Sequence, residues 1–104
     1  MSFTIHTSIS DSTLFLQGKL IDPAMDQIIM EQVLLISENS DKVNLNLKDL
    51  DYMNSSGLNT LLKAFTYLRN HNKELEIHEI SESVKKLFII TKLHSIFTIK
   101  DKTE

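Results

Sequence analysis

The stretch Val43-Asn44-Leu45-Asn46-Leu47-Lys48-Asp49-Leu50-Asp51-Tyr52-Met53-Asn54-Ser55-Ser56-Gly57-Leu58-Asn59-Thr60-Leu61-Leu62 changes its hydrophobic period midway, and that change decides the fold class. Val43, Leu45 and Leu47 alternate with Asn44 and Asn46, the period-two pattern of a central strand. Leu58, Leu61, Leu62, Phe65 and Leu68 then recur at spacings of three and four, which predicts a helix from Leu58 to near Asn70. Between the two, Asn54-Ser55-Ser56-Gly57-Leu58 reads as a strand-to-helix turn.

Working toward the N-terminus, Met25, Ile29, Val33 and Ile36 keep helical spacing and predict a helix from Pro23 to about Asn39. Asp22-Pro23 suits its start, because an aspartate caps free amides and a proline at the first helical position sacrifices no hydrogen bond. Ile28, Met30, Leu34 and Leu35 widen the apolar stripe beyond what a solvent-facing helix needs, as core or as interface. Leu14-Phe15-Leu16, a continuous apolar run ended by Gly18, suits a strand covered on both faces. Phe3, Ile5 and Ile9 lie on one side of a preceding half-buried strand, and Ser10-Asp11-Ser12 turns the two into a hairpin.

Toward the C-terminus, Leu75 to Ile80 predicts another strand, and Ser81 or Ser83 can cap a third helix carrying Val84, Leu87 and Phe88. Ile96 to Ile99 reads as a short last strand before a charged tail. The expected order is β-β-α-β-α-β-α-β. Alternation after the hairpin implies crossovers, hence an α/β fold: a mixed sheet with helices packed against it, in a single domain over residues 1–104.

Composition narrows the function. A chain of 104 residues with 41% hydrophobic content suits one core. It carries no cysteine, which removes disulfides, thiolate metal sites and cysteine nucleophiles. A net charge of −3 with dispersed lysines gives little pull toward nucleic acid. No apolar run reaches the roughly 18–20 residues of a membrane span, so no membrane insertion is expected, and MSFTIHTSIS lacks the basic start of a signal peptide; the expected address is the cytoplasm. His6, His71, His78 and His94 show no ligand spacing, and no glycine-rich phosphate loop is present, so neither metal nor cofactor is expected. A hydrolase reading of Ser56 lacks the Gly-x-Ser-x-Gly elbow and a base, and catalysis is not expected. Lys48-Asp49-Leu50-Asp51 reads as solvated surface, and Met25, Met30 and Met53 as core or rim.

On spacing alone, Ser55 or Ser56 is a helix cap accepting from the first-turn amides, worth on the order of 1 kcal/mol. The segment as a whole, however, resembles the STAS domain family, named for sulfate transporters and anti-sigma factor antagonists. Its pattern is an alternating strand, a short loop with an aromatic or apolar pair, then Asp-Ser-Ser-Gly-Leu and a helix. Gly18-Lys19-Leu20 with Asp22 is similar to the family's Gly-x-Leu-Asp turn, and Ser83-Val84-Lys85-Lys86-Leu87-Phe88 to its third-helix start, so the likeness spans essentially the whole chain. Two departures stand out: Asn54 replaces the usual aspartate, keeping its shape and carbonyl but not its charge, and Ile21 is an extra residue before Asp22.

The resemblance implies a bacterial anti-sigma factor antagonist. Such a protein binds an anti-sigma factor that is also a serine kinase, is released when phosphorylated, here at Ser56, and is restored by a phosphatase. It further implies a partner-binding surface at Asp22, Asn54, Ser55, Ser56, Gly57 and Leu58. Two alternatives share the fold: an accessory subunit of an ABC-type lipid transporter, and a non-switching scaffold.

Overall fold

The computed structural model describes residues 5–100, so Phe3 and the charged end of the tail lie outside the described residues. The elements run β1 (Ile5–Ser10), β2 (Thr13–Leu20), α1 (Met25–Ser37), β3 (Lys42–Leu47), β4 (Leu50–Met53), α2 (Ser55–Asn70), β5 (Glu74–Ile80), α3 (Glu82–Ile90), a 3-10 turn (Leu93–Ser95) and β6 (Thr98–Lys100). They build one mixed sheet ordered β1-β2-β3-β5-β6, with β4 paired to β2. Only the β1–β2 hairpin is antiparallel; β2–β3, β2–β4, β3–β5 and β5–β6 are parallel.

Alternation along each strand separates the two faces of the sheet. Leu14, Leu16 and Leu20 of β2, Val43, Leu45 and Leu47 of β3, and Leu75 and Ile77 of β5 are buried together with Ile29 and Val33 of α1 and Leu61, Ala64 and Leu68 of α2. α1 packs on β2, β3 and α2; α2 also meets β4 and β5; α3 packs on β4 and the 3-10 turn. Phe97 closes this layer, its ring edge-on to Phe65 at 5.2 Å and tilted against Phe88 at 5.5 Å. On the opposite sheet face a polar network forms around Glu76, which pairs with Lys42 at 3.0 Å and with His78 at 3.1 Å, while His78 Nε2 also meets Asn44 Oδ1 at 3.1 Å. The Lys42 ammonium holds the Glu76 carboxyl below the usual carboxylate range.

Several expectations change. Leu50–Met53 is a strand where the sequence suggested a loop, and Leu50 is fully buried rather than solvated surface. It was hidden because four residues with burial in only Leu50 and Met53 carry no period. β2 continues through Gly18 to Leu20 instead of ending there. Gly18 sits at φ 109°, accessible to glycine, where the β2–β4 register shifts and its amide bonds the Asp49 carbonyl at 3.0 Å. Phe15 faces away from the core and is exposed, so the Leu14–Leu16 run is covered on one face only; Ile9, at the end of the edge strand β1, is exposed too. α1 is assigned from Met25, two residues later than expected, behind a turn in which the Asp22 carbonyl accepts from Met25 N. Residues 93–95 form a 3-10 turn, which shifts the last strand to Thr98–Lys100. Ser81 takes the N-cap position of α3, its carbonyl accepting from Lys85 N, but it makes no side-chain cap: the Ser81 and Ser83 hydroxyls donate across to the Leu50 and Asp51 carbonyls, tying the start of α3 to β4.

Candidate functional site

β3 (residues 42–47) pairs parallel with β2 over residues 44–46, and the chain then turns at 48–49 and re-enters beside the end of β2 as β4. Lys19 pairs with Tyr52 and Leu20 with Met53, so Asn54 arrives next to the β2–α1 connection. Its amide donates to the Leu20 carbonyl at 3.3 Å. The α2 N-terminus is therefore bound sideways to the end of β2 before the helix begins.

Asn54, and neither serine, is the helix cap. In an extended conformation it accepts from Gly57 N through Oδ1 at 3.0 Å, the bond expected of a cap to the third helical residue. Its Nδ2 donates to the Ile21 carbonyl at 3.2 Å. An aspartate supplies the first bond but has no hydrogen for the second, so this asparagine does two jobs that one carboxylate does not. Because the cap is taken, the Ser55 and Ser56 hydroxyls make no hydrogen bond to any described residue, with Ser55 exposed and Ser56 half-buried in the first turn of α2. That turn carries no acidic residue, leaving the positive end of the helix unneutralised.

Gly57 is set by close approach: a Cβ there would lie 2.4 Å from the Leu20 carbonyl oxygen and 3.0 Å from Met53 Cβ. Gly57 and Leu58 are buried and carry the loop from beneath, because α2 must lie tightly on the end of β2 and Leu58 joins the core; they do not present the surface expected of them. Asp22 and Ser55 are exposed, and Asn54 and Ser56 are partly so. Asp22 is exposed, and its carboxylate accepts from Ala24 N at 2.9 Å, which fixes it at the head of α1.

Two participants escaped the sequence reading. Thr60, buried one helical turn beyond Ser56, donates its hydroxyl to the Ser56 carbonyl at 3.2 Å. Asp26, in the first turn of α1, pairs with Lys63 of α2 at 2.8 Å, and the Lys63 ammonium holds its carboxyl below the usual range. The signal for Thr60 was its spacing of four from Ser56, which places both on one face of α2. Among the described residues no group of three or more histidine, cysteine, aspartate or glutamate side chains could hold a metal ion, and no helix is long and apolar enough to cross a membrane.

Comparison with known proteins identifies the family. The STAS domain model matches residues 2–104. An anti-sigma-B factor antagonist of Bacillus subtilis is 30% identical over 84 residues, 81% of this chain and 77% of that protein. Among solved structures, an anti-sigma factor antagonist from Mycobacterium paratuberculosis superposes with a TM-score of 0.71 at 16% identity, over 93% of this chain and 84% of that one. The Bacillus cell fate determinant SpoIIAA, solved in its phosphorylated form, does so with a TM-score of 0.65 at 20% identity, over 96% of this chain and 92% of that one. With the mixed sheet, the glycine seated on the end of β2 and the paired serines at the helix start, these matches mean that the chain belongs to the STAS domain family and is of the anti-sigma factor antagonist type.

Proposed function

We propose that this chain binds an anti-sigma factor with serine-kinase activity through the surface around Asp22, Asn54, Ser55 and Ser56, and that phosphorylation of Ser56 releases it. The observation that carries the proposal is the division of labour at the α2 start: Asn54 supplies the cap, so the Ser56 hydroxyl is left without an internal partner at a partly accessible position. A phosphate there adds about −1.5 to −2 charges at pH 7. The domain tolerates it, since first-turn amides and the positive helix end favour an anion by roughly 0.3–1 kcal/mol when exposed. A partner surface fitted to a neutral hydroxyl must instead desolvate a dianion beside Asp22, so binding is lost while the fold persists. In this reading the protein acts in the cytoplasm and a phosphatase resets it.

The test is incubation of the purified chain with ATP and each candidate serine kinase of its own genome. Phosphate is then mapped by mass spectrometry, with Ser56→Ala and Ser55→Ala as controls. Phosphate lost only in Ser56→Ala, together with release from the kinase, is the expected result. Tight binding by the phosphorylated chain, or phosphate that persists in Ser56→Ala, overturns it.

A further inference from the structure

Two exposed apolar faces, far apart in the packing order, carry opposite charge. The first runs along α1, where Ile28, Glu31, Leu35 and Glu38 follow one helical stripe and all are exposed, Leu35 by 56%. Between Met25 and Ser37 there is no lysine or arginine, and neither Glu31 nor Glu38 is in an ion pair with a described residue. The second lies at the end of α3 and the turn after it, where Ile89, Ile90 and Ile96 are exposed by 51%, 77% and 47%. Lys86 and Lys92 border it, and Lys92 holds the left-handed backbone conformation, φ 64°, that usually goes to glycine after a helix end. Within α3 the one acidic residue is Glu82, at the opposite end from Ile89 and Ile90.

Clustered exposed isoleucines on a chain of this size mark a contact surface. The charge pattern selects the occupant: an acidic apolar stripe fits this basic apolar face, and the chain itself carries one. We propose that the α3 face of one molecule docks on the α1 stripe of a second copy, with Ile89, Ile90 and Ile96 against Ile28 and Leu35, and Lys86 and Lys92 against Glu31 and Glu38. The two surfaces differ, so the contact is head-to-tail and leaves a free face of each kind at the ends of the assembly. Built from five apolar side chains and two charge pairs, it is a weak, concentration-driven and salt-sensitive association. It goes beyond the phosphorylation switch and does not involve the Ser56 hydroxyl.

Sedimentation velocity of the full chain from micromolar to millimolar concentration, at low and high salt, tests it alongside two surface variants whose fold is checked by circular dichroism. Glu31→Lys with Glu38→Lys makes both faces basic, and Lys86→Glu with Lys92→Glu makes both acidic. Each variant alone is expected to associate at least about tenfold more weakly than the parent chain, and an equimolar mixture of the two is expected to recover association, because each then offers the face the other lacks. A parent chain that stays monomeric throughout, variants that associate like the parent, or a mixture that does not recover overturns the proposal. So does a parent chain that remains monomeric yet binds phosphatidylserine vesicles through Lys86 and Lys92, which would assign the α3 face to an anionic membrane.

Discussion

Gly57→Ala puts the packing of the Ser56 loop to a quantitative test. The added methyl would lie 2.4 Å from the Leu20 carbonyl oxygen, 2.9 Å from Leu20 Cγ and 3.0 Å from Met53 Cβ. Ordinary contact begins at 3.4 Å, so α2 and the end of β2 must separate by about 1 Å, and the obstruction is backbone, which does not swing aside. Overpacking of this kind costs about 1–3 kcal/mol. The Asn54 amide also bonds the Leu20 carbonyl, and loosening that bond costs about 0.5–1.5 kcal/mol. Replacing glycine by alanine in a helix returns about 0.5–1 kcal/mol. The net expectation is a loss centred on about 2 kcal/mol, which for a domain of this size lowers Tm by about 8–16 °C. Thermal and urea melts followed by circular dichroism measure it. A variant that melts at or above the parent temperature would refute the reasoning, since the methyl would then have room that the close approach denies it.

Asn54→Ala removes both the cap to Gly57 N and the tie to the Ile21 carbonyl, and is expected to cost about 1–2 kcal/mol in urea melts. Asn54→Asp keeps the cap and loses the tie, so it should fall between the two; equal stability of Asn54→Ala and the parent chain would remove Asn54 from its assigned role. Glu76 governs part of the acid limb. Its carboxyl is held low by Lys42 in the fold, so its contribution is complete above the unfolded carboxylate pKa of about 4.3 and disappears as pH falls through the lower folded value. Glu76→Gln should therefore be less stable than the parent chain at neutral pH, with the gap closing in acid, and a gap that is constant with pH contradicts this. Ser81→Ala, which cuts the hydroxyl bond from α3 to the Leu50 carbonyl, is expected to cost about 1 kcal/mol and to raise amide exchange in β4 relative to β5; uniform exchange across both strands would count against the tie.

Much of the fold was legible because period carries it. The clean alternation of Val43-Asn44-Leu45-Asn46-Leu47 and the stripe Leu58, Leu61, Leu62, Phe65, Leu68 appear in the structure as β3 and α2. What failed depends on partners distant in sequence. β4 exists because β2 extends past β3 and offers it an edge, which the composition of Leu50–Met53 does not reveal. Gly18 looked like a terminator, yet in this strand glycine permits a change of register. At the site, the serine hydroxyls looked like caps because serine is a good one, but the residue before them is equally good and also reaches Ile21, so position decided between them. Family resemblance pointed to Asp22; Asp26, joined to Lys63 37 residues later, was not legible in the sequence.

The handover within β2, from β3 over Thr13–Phe15 to β4 over Gly18–Leu20, makes that strand a splint across a break. Its far side pairs with β1, from Ile5 against Gly18 to Ser10 against Thr13. The hairpin therefore sets the distance between the body of the sheet and the Ser56 loop. Strain applied at the edge strand, by a partner gripping it or by a neighbouring stretch of chain, would reach Leu20 and the Gly57 contact through Gly18, the point where the register shifts.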